Sequence, residues 1–193
     1  MVCKAIYTRG MADMKKPGIV LLAGVIILAL LAGCSLSRLN INFSDGVFLK
    51  LTYYPAGECP VYELFKTHAE FSSDGTVRIY CDGFREEFID EYPEEIIQLS
   101  KDDINEIKDA VRENDILSLR EDISSKSLDG DYYYLTVYTE EVEHRTGGLN
   151  VTDKSFLEVK DLACEMVEDE FNMVRALTLN IQEKGYTEMY NTD

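Results

Sequence analysis

The stretch LFKTHAEFSSDGTVRIYCDG (residues 64–83) decides how the rest of the chain is read. Two runs of alternating side chains flank Ser73-Asp74-Gly75, and a three-residue loop with Gly75 in the left-handed position closes such a hairpin. In that register Phe71 lies opposite Val77, Ala69 opposite Ile79 and Thr67 opposite Cys81. All six share one face, because successive strand side chains alternate. The other face carries Lys66, His68 and Glu70 against Arg78 and Tyr80, and is expected to be solvated. Cys59 would then lie far along the ladder from Cys81. A local disulfide between them is disfavoured, since bridged Cα atoms lie within about 7 Å.

Working outward, VFLKLTYYP (residues 47–55) is a β-rich run stopped by Pro55. A second hairpin is expected in YYYLTVYTEEVEHRTGG (residues 132–148). There Tyr133, Leu135 and Val137 alternate with Tyr134, Thr136 and Tyr138, and Gly147-Gly148 ends the return strand. Between the hairpins, LSKDDINEIKDAVREND predicts an amphipathic helix capped by Ser100, with Asp103 completing a capping box. Ile104, Ile107 and Val111 form its apolar stripe. A short run at 116–119 and a Ser- and Asp-rich loop follow.

A second capped helix is expected from Thr152, with Phe156, Val159, Ala163 and Met166 as its stripe. SKDDINEIKDAV and TDKSFLEVKDLA align without gaps, cap on cap and Lys108-Asp109 on Lys160-Asp161. Two hairpin-plus-helix units would explain this, as would the common demands on any capped helix that packs on a sheet. The segment 172–184 fits a helix or an edge strand; the helix, stopped at Gly185, is favoured. The fold class expected is α+β: a mainly antiparallel sheet built from hairpins, with two or three helices on one face.

At the other end, Lys15 and Lys16 precede a 16-residue run (18–33) without charge. This is the layout of a secretory leader, and the run is short for a bilayer span of about 20 residues. Leu31-Ala32-Gly33-Cys34 resembles the lipobox of bacterial lipoproteins. The resemblance implies that a signal peptidase recognises Leu31, Ala32 and Gly33 and cuts before Cys34. The Cys34 thiolate would carry a diacylglyceryl group, whose two chains suffice for stable anchoring. As a whole the chain resembles the small lipoproteins that Gram-positive bacteria display on their membranes. The expected organisation is a signal peptide over 1–33 and a lipidated cysteine with a tether over 34–46. A single domain over 47–184 and a tail over 185–193 follow. Met1, Met11 and Met14 are all open as the start, since MKKPGIVLLAGVIILALLAGC is already a complete leader.

Charge narrows the partners. The formal net charge is −17, and loss of the leader would remove Lys4, Arg9, Lys15 and Lys16 against Asp13 alone, giving −20. Nucleic acid is thereby disfavoured, because phosphate binding draws on Lys and Arg. A basic peptide, a divalent cation or plain solubility stays open. After Cys34 the thiols are Cys59, Cys81 and Cys164, an odd number without CxxC spacing. One disulfide plus a free thiol, or three reduced thiols, are both allowed.

Motifs for chemistry are sparse. His68 and His144 lie in no zinc pattern, no serine sits in GxSxG, and no GxGxxG or phosphate-loop spacing occurs. Acidic groups at Glu86-Glu87, Asp90-Glu91, Glu94-Glu95, Asp102-Asp103 and Glu168-Asp169-Glu170 are oxygen clusters of a kind that can hold Ca²⁺. Asp129 and Asp131 come nearest to a calcium loop but lack the further ligands and the distal glutamate. No cofactor is expected and the chain is not expected to be an enzyme. The candidate contact surface is the open sheet face, where Tyr132, Tyr134 and Tyr138 share one side. The expectation is a lipid-anchored, extracytoplasmic module that binds a protein or peptide. A passive component of the cell envelope and an enzyme without a recognisable motif are the alternatives.

Overall fold

The computed structural model describes residues 41–56, 65–83, 92–127 and 129–190. The lipobox residues, Cys59, Glu86-Glu87 and Asp90-Glu91 lie outside them. Among the described residues six strands form one antiparallel sheet: β1 (Val47–Pro55), β2 (Phe65–Ser72), β3 (Thr76–Gly83), β4 (Glu94–Gln98), β5 (Asp131–Tyr138) and β6 (Glu143–Leu149). Their spatial order is β4-β3-β2-β1-β5-β6. Among the described residues three helices accompany the sheet: α1 (Lys101–Glu113), α2 (Lys154–Glu165) and α3 (Glu168–Tyr190). The arrangement is α+β.

The first hairpin has the register that its side chains dictate: Phe71 pairs with Val77, Ala69 with Ile79 and Thr67 with Cys81. Gly75 adopts φ +95°, as the loop requires. A Cβ there would also come within 2.7 Å of Leu99 O, so the turn and the entry to α1 are pressed together. The loop is tied down further by Ser73, whose hydroxyl donates to Ser44 O and accepts from Lys108 Nζ.

Alternation places Leu49, Leu51, Ala69, Phe71, Val77, Ile79, Leu135 and Val137 on one face, all with no exposed surface. The helix stripes close over them: Ile104, Ile107 and Val111 from α1, Phe156, Val159 and Ala163 from α2, and Val174 from α3. Each Val, Leu, Ile or Phe side chain among them, fully buried, is worth about 1.5–3 kcal/mol. The α1 capping box forms as its sequence predicts, with Ser100 Oγ accepting from Asp103 N and Asp103 accepting from Ser100 N.

Several expectations are corrected. The cap of α2 is Asp153 rather than Thr152, since the Asp153 carboxylate accepts from Phe156 N. Both residues suit a cap, and burial of Phe156 and Val159 selects the register. Val167, fully enclosed, takes the stripe position expected of Met166. The third helix does not stop at Gly185 but continues to Tyr190, taking in part of the expected tail. Gly185 has no positive φ, and an interior helical glycine costs only about 1 kcal/mol against alanine.

Gly147-Gly148 lie inside β6, which runs on to Leu149. The expected tether gives way before residue 46: Phe43 is buried, packs edge-on against Phe48, and bridges to Thr139. Strand β4 was not anticipated. It lies between the first hairpin and α1, so that unit has a third strand which the β5-β6-α2 unit lacks.

Candidate functional site

The sheet face opposite the helices is built from β1, β2, β3 and β5 at alternate positions. Tyr54 pairs with Tyr132, Thr52 with His68 and Tyr134, and Lys50 with Glu70 and Thr136. The face therefore has an aromatic end and a charged end, joined through Thr52.

At the aromatic end three rings lie nearly parallel. Tyr54 and Tyr132 have centroids 4.5 Å apart at 14°. Tyr134 lies 6.3 Å from Tyr54 at 16° and 6.4 Å from Tyr132 at 5°. The Arg145 guanidinium covers the Tyr134 ring, 3.8 Å from its centroid. Gly147 makes this possible, because it sits opposite Tyr134 and a Cβ there would come within 2.9 Å of the ring. Its φ of +148° is also one that residues with side chains avoid. Burial, aided by a hydrogen bond with Tyr134, pushes the Tyr54 hydroxyl up to about 12. All three rings remain half-exposed.

Of the three tyrosines expected on this surface, Tyr132 and Tyr134 lie together. Tyr138 does not join them: Thr136 stands between it and Tyr134 on the strand. The charges bearing on its hydroxyl are Glu143, Lys50 and Glu70. Tyr54, not foreseen as part of the site, takes its place. Its presence in VFLKLTYYP was visible, but its neighbours depend on which strand lies beside β1.

At the charged end Lys50 Nζ donates to Glu70 Oε1 at 3.1 Å and to Tyr80 Oη at 2.7 Å, and Tyr80 donates to Glu70 at 2.8 Å. Burial opposes the Lys50 charge, but these bonds outweigh it and hold its pKa above the ordinary lysine value. The same bonds hold Glu70 below the usual carboxylate range despite its burial. Arg78 pairs with Glu94 at 2.7 Å and covers the Tyr80 ring.

His68 departs from expectation. It lies on the predicted face, yet it is 4 % exposed. Tyr80 leans over its ring at 5.0 Å, its Nδ1 is hydrogen-bonded to Thr52 Oγ1 at 2.9 Å, and its Nε2 lies 3.0 Å from Asp82 Oδ2. The Nε2 contact is close in distance but not aligned as a hydrogen bond. Burial, reinforced by Lys50, lowers the His68 pKa, and Asp82 only partly offsets this.

Hydroxyl, imidazole and carboxylate in sequence have the order of a nucleophile relay. Thr52, however, is 7 % exposed on a strand paired on both sides. The backbone N–H groups around it serve the ladders, which leaves none to stabilise an oxyanion. His144 lies apart, opposite Val137 on β6, with its Nε2 enclosed and without a hydrogen-bond partner.

The other predicted positions are dispersed. Asp131 accepts from the Tyr53 hydroxyl at 3.1 Å, and Asn150 bonds the Asp129 carbonyl and accepts from Asp131 N. Among the described residues no three His, Cys, Asp or Glu side chains converge as metal ligands. Cys81 and Cys164 carry free thiols. No helix among the described residues is long and apolar enough to cross a membrane.

A scan against protein-family models finds none that matches the chain, and a search of curated proteins finds no match.

Proposed function

We propose that the chain is a lipid-anchored protein of the extracytoplasmic membrane face, tethered through diacylglyceryl-Cys34. Its folded domain binds a basic protein or peptide without catalysing a reaction on it. The observation that carries the binding reading is the parallel group Tyr54, Tyr132 and Tyr134 with Arg145 seated on Tyr134.

Tyrosine and arginine are the side chains that dominate binding at protein interfaces, because each offers a large, stiff, amphipathic surface. Here the rings are held by one another before any partner arrives, so little side-chain freedom remains to be lost on docking. The surplus of carboxylates favours a partner of positive charge. The anchor reading rests on the Leu31-Ala32-Gly33-Cys34 motif and the apolar run before it.

Photocrosslinking from position 132 in the full chain, in its native membrane, tests the binding reading. One basic partner should be captured, weakly at high salt. Tyr54→Ala with Tyr134→Ala should abolish capture, while Tyr138→Ala should leave it intact. Capture indifferent to the double substitution would remove the open face from consideration. The anchor is tested separately by Cys34→Ala, which should release the protein from membranes or block its processing. Unchanged retention of a cleaved form would refute lipidation.

A further inference from the structure

A cavity lies on the side of the sheet opposite the open face. It is a cleft of about 340 Å³ lined by Tyr53 and Tyr133 from the strands and by Asp161, Cys164, Glu165, Glu168, Phe171, Asn172 and Arg175 from α2 and α3. That volume lies within the range of small-molecule sites.

Its walls are aromatic. Tyr53 and Tyr133 meet at 5.0 Å, and Phe171 stands edge-on to Tyr53 at 6.3 Å. Its polar groups carry opposite charges that are not spent on one another. Arg175 is held over Tyr53 at 5.2 Å and Phe65 at 5.8 Å, and its Nε is enclosed without a hydrogen-bond partner. Among the described residues no carboxylate stands within ion-pair distance of this guanidinium. Glu165 and Glu168, exposed on the rim, are likewise unpaired, whereas Asp161 is held by Lys160. Buried donors are normally satisfied in a native fold, so an arginine left unpaired beside a cavity asks for an acceptor that the described residues do not supply.

We infer that this cleft binds a free α-amino acid with an apolar side chain. Arg175 would receive the carboxylate as a planar fork matched to it. Glu165 and Glu168 would receive the ammonium, and the Tyr53, Tyr133 and Phe171 rings would enclose the side chain. A simple amine would leave Arg175 unmet, and a simple acid would meet the glutamates with like charge. The requirement for both groups on one small molecule sets this ligand apart from a peptide terminus, which offers one. The inference is independent of the open face, which lies across the sheet.

The test is calorimetric titration of the full chain in detergent with L-phenylalanine and L-leucine, alongside 2-phenylethylamine and 3-phenylpropionate. At least one amino acid should bind about tenfold or more tightly than either fragment, the share expected of one charge-assisted hydrogen bond. Arg175→Met, which keeps much of the apolar stem, should weaken the amino acid by a similar factor and leave the amine unchanged. Glu165→Gln with Glu168→Gln, both on the exposed rim, should weaken amino acid and amine together. No heat from either amino acid in the millimolar range, or an amine that binds as tightly as phenylalanine, would overturn the inference. Should Arg175→Met fail to fold, the ligand series on the parent chain decides alone.

Discussion

His68 Nδ1 lies 2.9 Å from Thr52 Oγ1, and both residues are enclosed on the sheet face that carries no helix among the described residues. A polar pair is buried there because the long side chains beside it, Lys50, Tyr54, Tyr80 and Tyr134, form a cover of their own. The ring's neutral form fits this setting, and its charged form does not.

That relationship has a pH signature. His68 has a folded pKa below its ordinary 6.5, through burial and then Lys50. As pH falls below 6.5 the unfolded chain takes up the proton before the folded one, so stability declines with falling pH. The contribution is complete above 6.5 and is lost as pH drops through the folded value. The melting temperature of the parent should therefore fall relative to His68→Gln between pH 7 and 5. Parallel curves over that window would show the ring to be titrating freely.

Gly147→Ala should be among the most damaging single-methyl additions. Its Cβ would lie 2.2 Å from Tyr133 O, at a φ of +148°. Backbone strain of order 1–3 kcal/mol adds to the clash, so a loss of about 2 kcal/mol or more is expected in chemical denaturation. The Tyr54–Tyr134 ring geometry should loosen with it, read as a lowered Tyr54 titration point from its value near 12.

The cap positions are separable by three substitutions. Ser100→Ala and Asp153→Ala should each cost about 1 kcal/mol, because each removes an acceptor from a helix N-terminus. Thr152→Ala should change little. A loss at Thr152 equal to that at Asp153 would contradict the cap found for α2.

The free thiols should be slow. Burial pushes Cys164 up to about 11, and Cys81 is raised by the same cause. The thiolate is the nucleophile, so at pH 8 both should react with an aromatic disulfide reagent far more slowly than a denatured control. With the remaining cysteines replaced by serine, a fast phase in the native protein would place one of them at the surface.

Much of the fold was legible because it is locally encoded. The turn residues at 73–75 set the β2-β3 register, and alternation with a period of two assigned Phe71, Ala69, Val77 and Ile79 to the core. The stripe and cap of α1 followed from spacing in the same way. Strand β4 was hidden because Glu94-Glu95 dominates five residues at a sheet edge. There half the side chains face water, and the apolar signal is reduced to Ile96 and Ile97.

The candidate site was legible only in part. Alternation put Tyr132, Tyr134 and Tyr138 on one side but said nothing of what lies across the ladder. Pairing of β1 with β5 brings Tyr54 to Tyr132, and pairing of β1 with β2 brings Thr52 to His68. The sequence alone thus determined which face the residues of β2, β3 and β5 occupy, where α1 and the first hairpin turn begin, and the acidic character of the chain. Those depend on neighbours a few residues away. Only the tertiary structure decided that β1 lies between the two hairpins, that His68 is sheltered, and that Arg175 meets the tyrosines of a cleft. Those contacts join residues far apart in the chain, and no local period records them.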